Sequence, residues 1–515
     1  MTPSERGSGT GRRRLQNLGL AGGPMLACLA YATLPDAYPV AADELVDFSR
    51  EGRATAAIAV WMAVWWLSEA ISVYATALLP LALFPLIGAA SMKATAAPYA
   101  HELIFLFMGG FLIALAMERW GLHRRIALGA LLLAGERPDN LVGVFMLVTA
   151  LLSMWVSNTA TAIMMLPVAL SVIELVARRH GAATAREAFL DPASPIRNLA
   201  LALLLGIAYA SSIGGIATPI GTPPNLLLLS YVKSHLGREI SFVRWMAATL
   251  PLVALFLPIA WLLLTRVLYP AKITRIEGGT GLVRAALRAL GPLQTAERIV
   301  LCVFLMTAAL WITRPLLAGI ALGGWHPLAG LTDAGIAMLG ALLLFVAPAG
   351  RRTGLFVLDW ETAMKLPWGV LVLFGGGLSL AAAIQANGVG ELLGGFVSTF
   401  RGIPSPVIVV SVVTGVVLLT ELTSNTAATA ALVPILAGVA PGLGIDPLLL
   451  IVPAALAASC AFMLPVATPP NAVVFGSGLI RIAEMSRAGF WLNWVGVVLI
   501  SVLAYVAVIP ILGSG

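Results

Sequence analysis

Two polar islands interrupt apolar runs in this chain, and each of them occurs twice. Ser157-Asn158-Thr159 is matched by Ser424-Asn425-Thr426, and Thr222-Pro223-Pro224-Asn225 by Thr468-Pro469-Pro470-Asn471. Of the 515 residues, 59% are hydrophobic and 11% charged, a balance that no water-soluble domain of this size carries, so the islands lie at membrane depth. Polar, helix-breaking residues are tolerated there only when buried in protein or lining a cavity. A matched pair in each of two halves points to one shared binding site, as in a carrier.

Apolar runs of about 20 residues recur near 55–90, 103–117, 199–216, 246–268, 298–312, 334–348, 369–384, 404–420, 447–464 and 488–512, each long enough to cross a membrane as a helix. They predict an all-α polytopic membrane protein with about 11 spans plus hairpin-like pieces. The net charge of +7 comes mostly from arginine between the runs, which suits cytoplasmic loops and not a nucleic-acid surface. Cys28, Cys302 and Cys460 are scattered through separate apolar stretches, with neither metal-site nor disulfide spacing. Arg12-Arg13-Arg14 and the apolar stretch to Thr33 read as a retained first helix with a cytoplasmic N-terminus, since no small-residue cleavage site follows.

The two halves align. Phe107-Met108-Gly109-Gly110 matches Phe374-Gly375-Gly376-Gly377 at a shift of 267, and Asn158 matches Asn425 at the same shift (425 − 158). The later islands are shifted by 246 (468 − 222), so the second copy is 21 residues shorter between its motifs, a deletion expected at the polar loop Ala177 to Asn198. Arg119 to Arg125 and Arg178-Arg179-His180 read as cytoplasmic, whereas the equivalent Gln385 to Gly395 and Gly438 to Asp446 hold no Lys or Arg. The copies are therefore expected upside down relative to each other. Lys272 to Arg298 and Arg351-Arg352 fit the cytoplasmic side, while Lys233, Arg238 and Arg244 contradict an outside assignment of their loop.

Residues 137–170 and 402–437 carry the tripeptides near their middles, which predicts two re-entrant hairpins entering from opposite sides. The Thr-Pro-Pro-Asn islands predict broken helices, each restarting with proline at the first helical position behind a threonine cap. Such restarts should point free N–H groups and a positive dipole end at an anion. Hydroxyls of Thr159, Thr222, Thr426 and Thr468 and amides of Asn158 and Asn425 suit a carboxylate or sulfate, with no arginine needed. Neutral oxygens suit a small hard cation. Ser153 lies four residues before Ser157 and Thr420 four before Ser424, so each pair should share a helix face and form one cation site per repeat.

Glu69, Glu102, Glu118 and Glu421 lie near or within spans. Glu102 and Glu118 read first as helix ends at the interface, and Glu421, beside the second tripeptide, as either a functional carboxylate or a structural hydrogen-bond partner. The five histidines have no metal-binding spacing, and the Gly375-Gly376-Gly377 run reads as close helix packing. An enzyme or sensor would need a nucleophile, base, metal or soluble signalling domain, none of which the sequence displays.

Trp65 to Pro85, Phe107 to Arg125, Ser153 to Pro167, Gly214 to Asn225, Leu366 to Leu380, Thr420 to Thr429 and Ala467 to Gly478 together resemble the divalent-anion:sodium symporter family of dicarboxylate, citrate and sulfate carriers. The resemblance implies two inverted repeats, a homodimer held by scaffold helices and elevator-type movement in a bacterial inner membrane. It divides the chain into an N-terminal helix and external loop (1–54), scaffold helices (55–130), a transport part with the inward hairpin (131–268), a cytoplasmic linker (269–297), further scaffold helices (298–401) and a second transport part with the outward hairpin (402–515). It implies one sodium ion, the coupling ion, on Ser153, Ser157, Asn158 and the Gly221 backbone, and a second on Thr420, Thr423, Asn425 and the Ala467 backbone. The anion would meet Asn158, Thr159, Thr222, Asn425, Thr426, Thr468 and Pro469. Two intact Ser-Asn-Thr copies are more similar to a C4-dicarboxylate carrier than to a sulfate carrier, with sodium-independent exchange and citrate or sulfate transport as the alternatives.

Overall fold

In the computed structural model the described residues are 3–513 apart from 42–43, 180–183, 185–188, 190–193, 272, 274, 277–278, 322–325 and 351–353. His180, Lys272, Arg351 and Arg352 lie outside them. The regular structure of the described chain is helical except for one small hairpin, Ala37–Ala41 against Glu44–Asp47, and an isolated bridge between Pro348 and Phe356. Eight helices are long and apolar enough to cross a membrane, and five shorter apolar helices of 10–17 residues accompany them. Three of the short ones belong to the interrupted segments.

The first tripeptide separates Pro138–Ser153 from Asn158–Arg179, and the second separates Ser405–Thr420 from Asn425–Leu443. These are the two expected hairpins, and their arms begin at the same shift of 267 (405 − 138 and 425 − 158). The first broken helix is Pro195–Gly215 and Pro223–Leu236; the second is Pro447–Ala458 and Pro469–Phe475. Its start is shifted by 252 (447 − 195), so 15 of the 21 missing residues (267 − 252) precede the broken helix and the other six (252 − 246) fall inside it, not all in the preceding loop. The run 55–90 is likewise not one span. Helix Arg50–Ser68 stops at Glu69, whose φ of 47° closes it in the left-handed region, and Val73–Thr76 and Leu79–Ile87 follow as separate pieces.

Hydrogen bonds and ion pairs at the two ends establish the inversion. Arg197, at the start of the first broken helix, pairs with Glu484, just beyond the second. Conversely Arg238, just beyond the first, pairs with Asp446 (3.1 Å), which caps the start of the second. The broken helices therefore run antiparallel. The base of the first hairpin lies at the Arg197 end, where Trp261 Nε1 donates to Asp139 O (2.8 Å) and the Tyr269 hydroxyl to Glu484 O (2.7 Å). The base of the second lies at the Asp446 end, with Arg401 Nε donating to Gly442 O (2.9 Å) and Arg244 to Ile511 O (2.9 Å). Phe107 and its repeat equivalent Phe374 meet edge to face at 5.3 Å, as residues beside a pseudo-two-fold axis must.

Arginine at positions 124, 125, 137, 178, 179 and 197 is the charge bias from which the Arg197 end is expected to be cytoplasmic. The loop that contradicted this rule is neutralised locally: Lys233 pairs with Glu102, Arg238 with Asp446, and Arg244 is also engaged. Glycines of the repeated motif serve packing. A Cβ on Gly109 would lie 2.6 Å from the Ala337 backbone, and Tyr99 and the Ala77 backbone leave no room for one at Gly375 and Gly376.

The buried apolar residues form two clusters. One gathers both hairpins, both broken helices and the long helices Phe242–Leu262 and Ile482–Leu503. The other gathers helices from 50–119 and 295–386 and is joined by Leu226 and Leu227 of the first broken helix and Ala427, Ala430 and Ala431 of the second hairpin, while Leu378 and Ala381 belong to the first. Single cysteines placed at Asn140 and Asp446 in a cysteine-free background check the inversion. An impermeant thiol reagent applied to whole cells should modify Asp446→Cys and spare Asn140→Cys until the cells are permeabilised.

Candidate functional site

All four islands meet at one cavity of about 890 Å³. Its lining includes Ser157, Asn158 and Thr159 from the first hairpin tip and Thr423 to Thr426 from the second. The broken helices add Gly221 to Pro224 and Ala467 to Pro470. Eleven of the thirteen residues singled out in the sequence thus line it, and Ser153 and Thr420 lie fully buried behind the tips. The cavity continues past Phe111 and Leu115 to Glu118 and Lys365, toward the Arg119–Asp359 pair at the cytoplasmic end. Lys365 is a cation near the site that sequence reasoning did not foresee, and Glu118 is a lining residue as well as a helix end.

The hairpin tips form because a serine begins each second arm. Ser157 Oγ accepts from Ala160 N (3.2 Å) and Ser424 Oγ from Ala427 N (3.5 Å), the usual N-cap arrangement. This corrects the expected pairing of hydroxyls on one helix face. Ser153 and Thr420 are the last residues of the first arms, and the chain reverses before Ser157 and Ser424, so helical spacing does not apply between them.

The broken helices restart almost identically, with Thr222 at φ −144°, ψ 142° and Thr468 at φ −138°, ψ 147°, each followed by two prolines. Proline has no N–H, so these starts offer no free donors, contrary to expectation. The next N–H groups are used locally, Asn225 N by Thr222 O (3.2 Å) and Asn471 N by Thr468 Oγ1 (3.4 Å). Helix starts without proline at the cavity are instead those of the hairpin arms at Asn158, Thr159, Asn425 and Thr426, which head helices of 22 and 19 residues.

The first candidate cation site is built from oxygen. The Asn158 carboxamide lies among Ser153 Oγ, Ser211 O and Gly221 O. With its nitrogen toward them it donates at 2.6, 3.2 and 3.2 Å respectively. With its oxygen toward them, Ser153 Oγ donates to Oδ1 (2.6 Å) and the remaining oxygens converge, the arrangement a small hard cation satisfies. Glycine is required at two points: a Cβ on Gly215 would stand 2.5 Å from Asn158 Oδ1, and one on Gly221 would strike the Gly215 backbone. The second site has Ala461 and Ala467 at the equivalent positions (215 + 246, 221 + 246) and is less tight. There Thr423 Oγ1 donates to Leu419 O (3.1 Å) and Thr420 Oγ1 to Val417 O (3.2 Å), which leaves hydroxyl lone pairs free, and Asn425 Oδ1 is buried with no hydrogen-bond partner. These residues fit a cation.

The last residue of each Thr-Pro-Pro-Asn island does not line the cavity. Asn225 Nδ2 reaches back to Gly215 O (3.2 Å), Ile216 O (3.2 Å) and Thr218 O (2.9 Å), and Asn471 Nδ2 to Ala461 O (3.3 Å) and Leu464 O (3.0 Å). Each therefore ties the second half-helix to the unwound end of the first. Glu421 has a structural role: its carboxylate accepts from Phe462 N (2.8 Å), Met463 N (2.9 Å), Leu464 N (3.0 Å) and Asn493 Nδ2 (2.7 Å). Its counterpart in the first repeat is Met154 (421 − 267), whose carbonyl accepts from the Thr218 hydroxyl.

Gly221→Ala should raise the sodium concentration that half-maximally stabilises the purified protein against heat by about tenfold, the effect of roughly 1.4 kcal/mol of overpacking. Ala467→Gly should leave it within about twofold, because the second site has no comparable backbone contact.

Comparison with known proteins places this architecture. Residues 44–512 match the family described as sodium:sulfate symporter transmembrane region. The chain is 42% identical over 502 residues to the sodium-dependent dicarboxylate transporter SdcS of Staphylococcus saprophyticus, covering 97% of this chain and 92% of that one. It is 41% identical over 499 residues to SdcS of Staphylococcus aureus, with the same coverage. Among solved structures, the YdaH transporter of Alcanivorax borkumensis superposes with a TM-score of 0.60 at 17% identity, over 96% of this chain and 97% of that one. MtrF of Neisseria gonorrhoeae gives 0.59 at 13% identity, over 97% and 96%. With one family model matched over nearly its whole length and relatives above 40% identity end to end, the chain belongs to the sodium:sulfate symporter family, the divalent-anion:sodium symporters.

Proposed function

We propose that this protein is a secondary active carrier in the cell membrane that moves small dianions, C4-dicarboxylates such as succinate, malate and fumarate, together with sodium. The observation that carries this reading is the convergence of both tripeptides and both proline breaks on one cavity flanked by two oxygen-lined pockets. The names of the relatives, sodium-dependent dicarboxylate transporters, support the same substrate and coupling ion.

In this reading the dianion is received by Asn158, Thr159, Thr222, Asn425, Thr426, Thr468 and Pro469. One sodium ion is held by Ser153, Ser157, Asn158 and the Gly221 carbonyl, and the other by Thr420, Thr423, Asn425 and the Ala467 backbone. Asn158 and Asn425 belong to both sets, so each ion and the anion lower one another's cost of leaving water, and that shared contact is the coupling. The cluster of hairpins and broken helices is the transport body and the cluster of helices from 50–119 and 295–386 the scaffold, which supports an elevator-type displacement of one against the other. Two copies pair through the scaffold. Helix Thr295–Ala318, with 22% of its apolar window buried, leaves a broad apolar face for a second copy and for lipid.

Proteoliposomes test this directly. Labelled succinate should accumulate under an inward sodium gradient and fail to accumulate when choline replaces sodium. Asn158→Ala and Asn425→Ala should each abolish accumulation while the protein is extracted in normal yield. Equal uptake without sodium would favour exchange, and normal uptake by both variants would return the tripeptides to a packing role.

A further inference from the structure

The binding cavity reaches the Arg119–Asp359 end and not the opposite one, where a separate cavity of about 590 Å³ is lined by Tyr231, His235, Glu391 and Pro441. Helix Val389–Val397 packs on the second arm of the second hairpin there, with the Cβ position of Gly390 3.5 Å from the Gly438 Cα and that of Gly394 3.3 Å from the Gly438 carbonyl. Across the same end, Lys233 in the last turn of the first broken helix pairs with Glu102, the first residue of helix Glu102–Arg119. Lys233 stands on a helix whose Leu228, Leu229 and Val232 belong to the cavity-bearing cluster and whose Leu226 and Leu227 reach the other, and Glu102 heads a helix of that other cluster. Among the described residues two further ion pairs join the two sets of helices: Arg125, on helix Leu122–Leu131 whose Ala127, Leu128 and Leu131 lie in the first cluster, pairs with Glu297 at the opposite end (2.9 Å), and Glu239, in the loop after the first broken helix, pairs with Arg314 at the same end. Glu239 lies 3.7 Å from Lys233 and 3.1 Å from Arg314, and Arg314 pairs with Asp333 at 2.9 Å.

The repeat relationship gives this pair its meaning. Exchange of conformations between two inverted repeats is the general way such a fold opens to one side and then the other. When the outer end opens, the cytoplasmic end should close with the equivalent positions of the second repeat. Those positions are Gly369 (102 + 267) and Leu479 (233 + 246), neither of which carries a charge. An ion pair is thus available to one of the two states only.

We propose that Lys233 and Glu102 form an ionic latch between the two bodies, holding the outer end shut and biasing the carrier toward its inward-open state. The proposal rests on the two-body reading above. The pair is partly exposed, with side-chain accessibilities of 33% and 39%, so salt weakens it, and its effect on the equilibrium is a factor of about two to five. His101, His235, Glu239, Arg314 and Asp333 are the other titratable or charged groups around it, and Glu239 tethers Lys233 to the Arg314–Asp333 pair.

The test reads accessibility, not transport. In a background without Cys28, Cys302 and Cys460, a reporter cysteine at Leu115 lines the cytoplasmic half of the cavity. Inside-out vesicles are treated with an impermeant thiol reagent. Lys233→Met and Glu102→Gln should each slow modification about two- to fivefold, with no further slowing in the double variant. The exchanged pair Lys233→Glu with Glu102→Lys should restore the original rate. Raising choline chloride from about 0.05 to 0.5 M should slow the reporter protein with its native pair and leave the Lys233→Met protein unchanged. If a single variant does not fold, this salt response still decides the matter. Unchanged rates in the single variants and no salt response would overturn the latch, as would additive effects that the exchange does not rescue. A reporter whose reactivity also fails to respond to sodium plus succinate would count against the two-body reading instead.

Discussion

Unwinding a helix at membrane depth exposes peptide groups that have no water to bond, and the organisation of this protein follows from how those groups are satisfied. In the first break, carbonyls 215, 216 and 218 are taken by Asn225, Ile216 O also by Trp245 Nε1 (3.1 Å), and Ala217 O by Thr249 (3.2 Å). In the second, Asn471 takes two carbonyls, Ser486 takes Met463 O (3.1 Å), and Glu421 takes three successive N–H groups. An unpaired buried group costs about 1–3 kcal/mol, so without these partners neither break would persist. What remains uncommitted, the Asn425 side-chain oxygen among it, belongs to residues that line the site.

The two repeats reach this common geometry by different chemistry. The first uses a threonine hydroxyl and close glycine contacts, and so forms a tight, neutral oxygen cage. The second uses the Glu421 carboxyl group, 41 residues away in sequence, and alanines in place of the glycines. Pseudo-symmetry brings the four islands to one cavity, and departures from it make the surroundings of Asn158 and Asn425 unequal.

Much of this was legible in the sequence. The tripeptides, the shift of 267 and the arginine bias are local or periodic features, and they yielded the hairpins, the breaks and the inversion. Eleven of the thirteen chosen residues line the cavity because the motifs themselves are the turns that build it. The rest depended on contacts between distant residues. Nothing local announces that Glu421 holds Phe462 to Leu464, that Lys365 reaches the cavity, or that Lys233 meets Glu102. Two of the departures were errors of local chemistry. The double proline removes the N–H groups that a helix start would offer, and the chain reversal between Ser153 and Ser157 voids helical spacing.

Sodium and dicarboxylate occupying one site through shared asparagines is the central claim, and reciprocal linkage tests it most directly. Calorimetric titration of the purified protein should show that saturating sodium tightens succinate binding by some factor and that saturating succinate tightens sodium binding by the same factor. Asn158→Ala should remove most of that factor. Succinate binding with equal affinity in sodium and in choline would contradict the account.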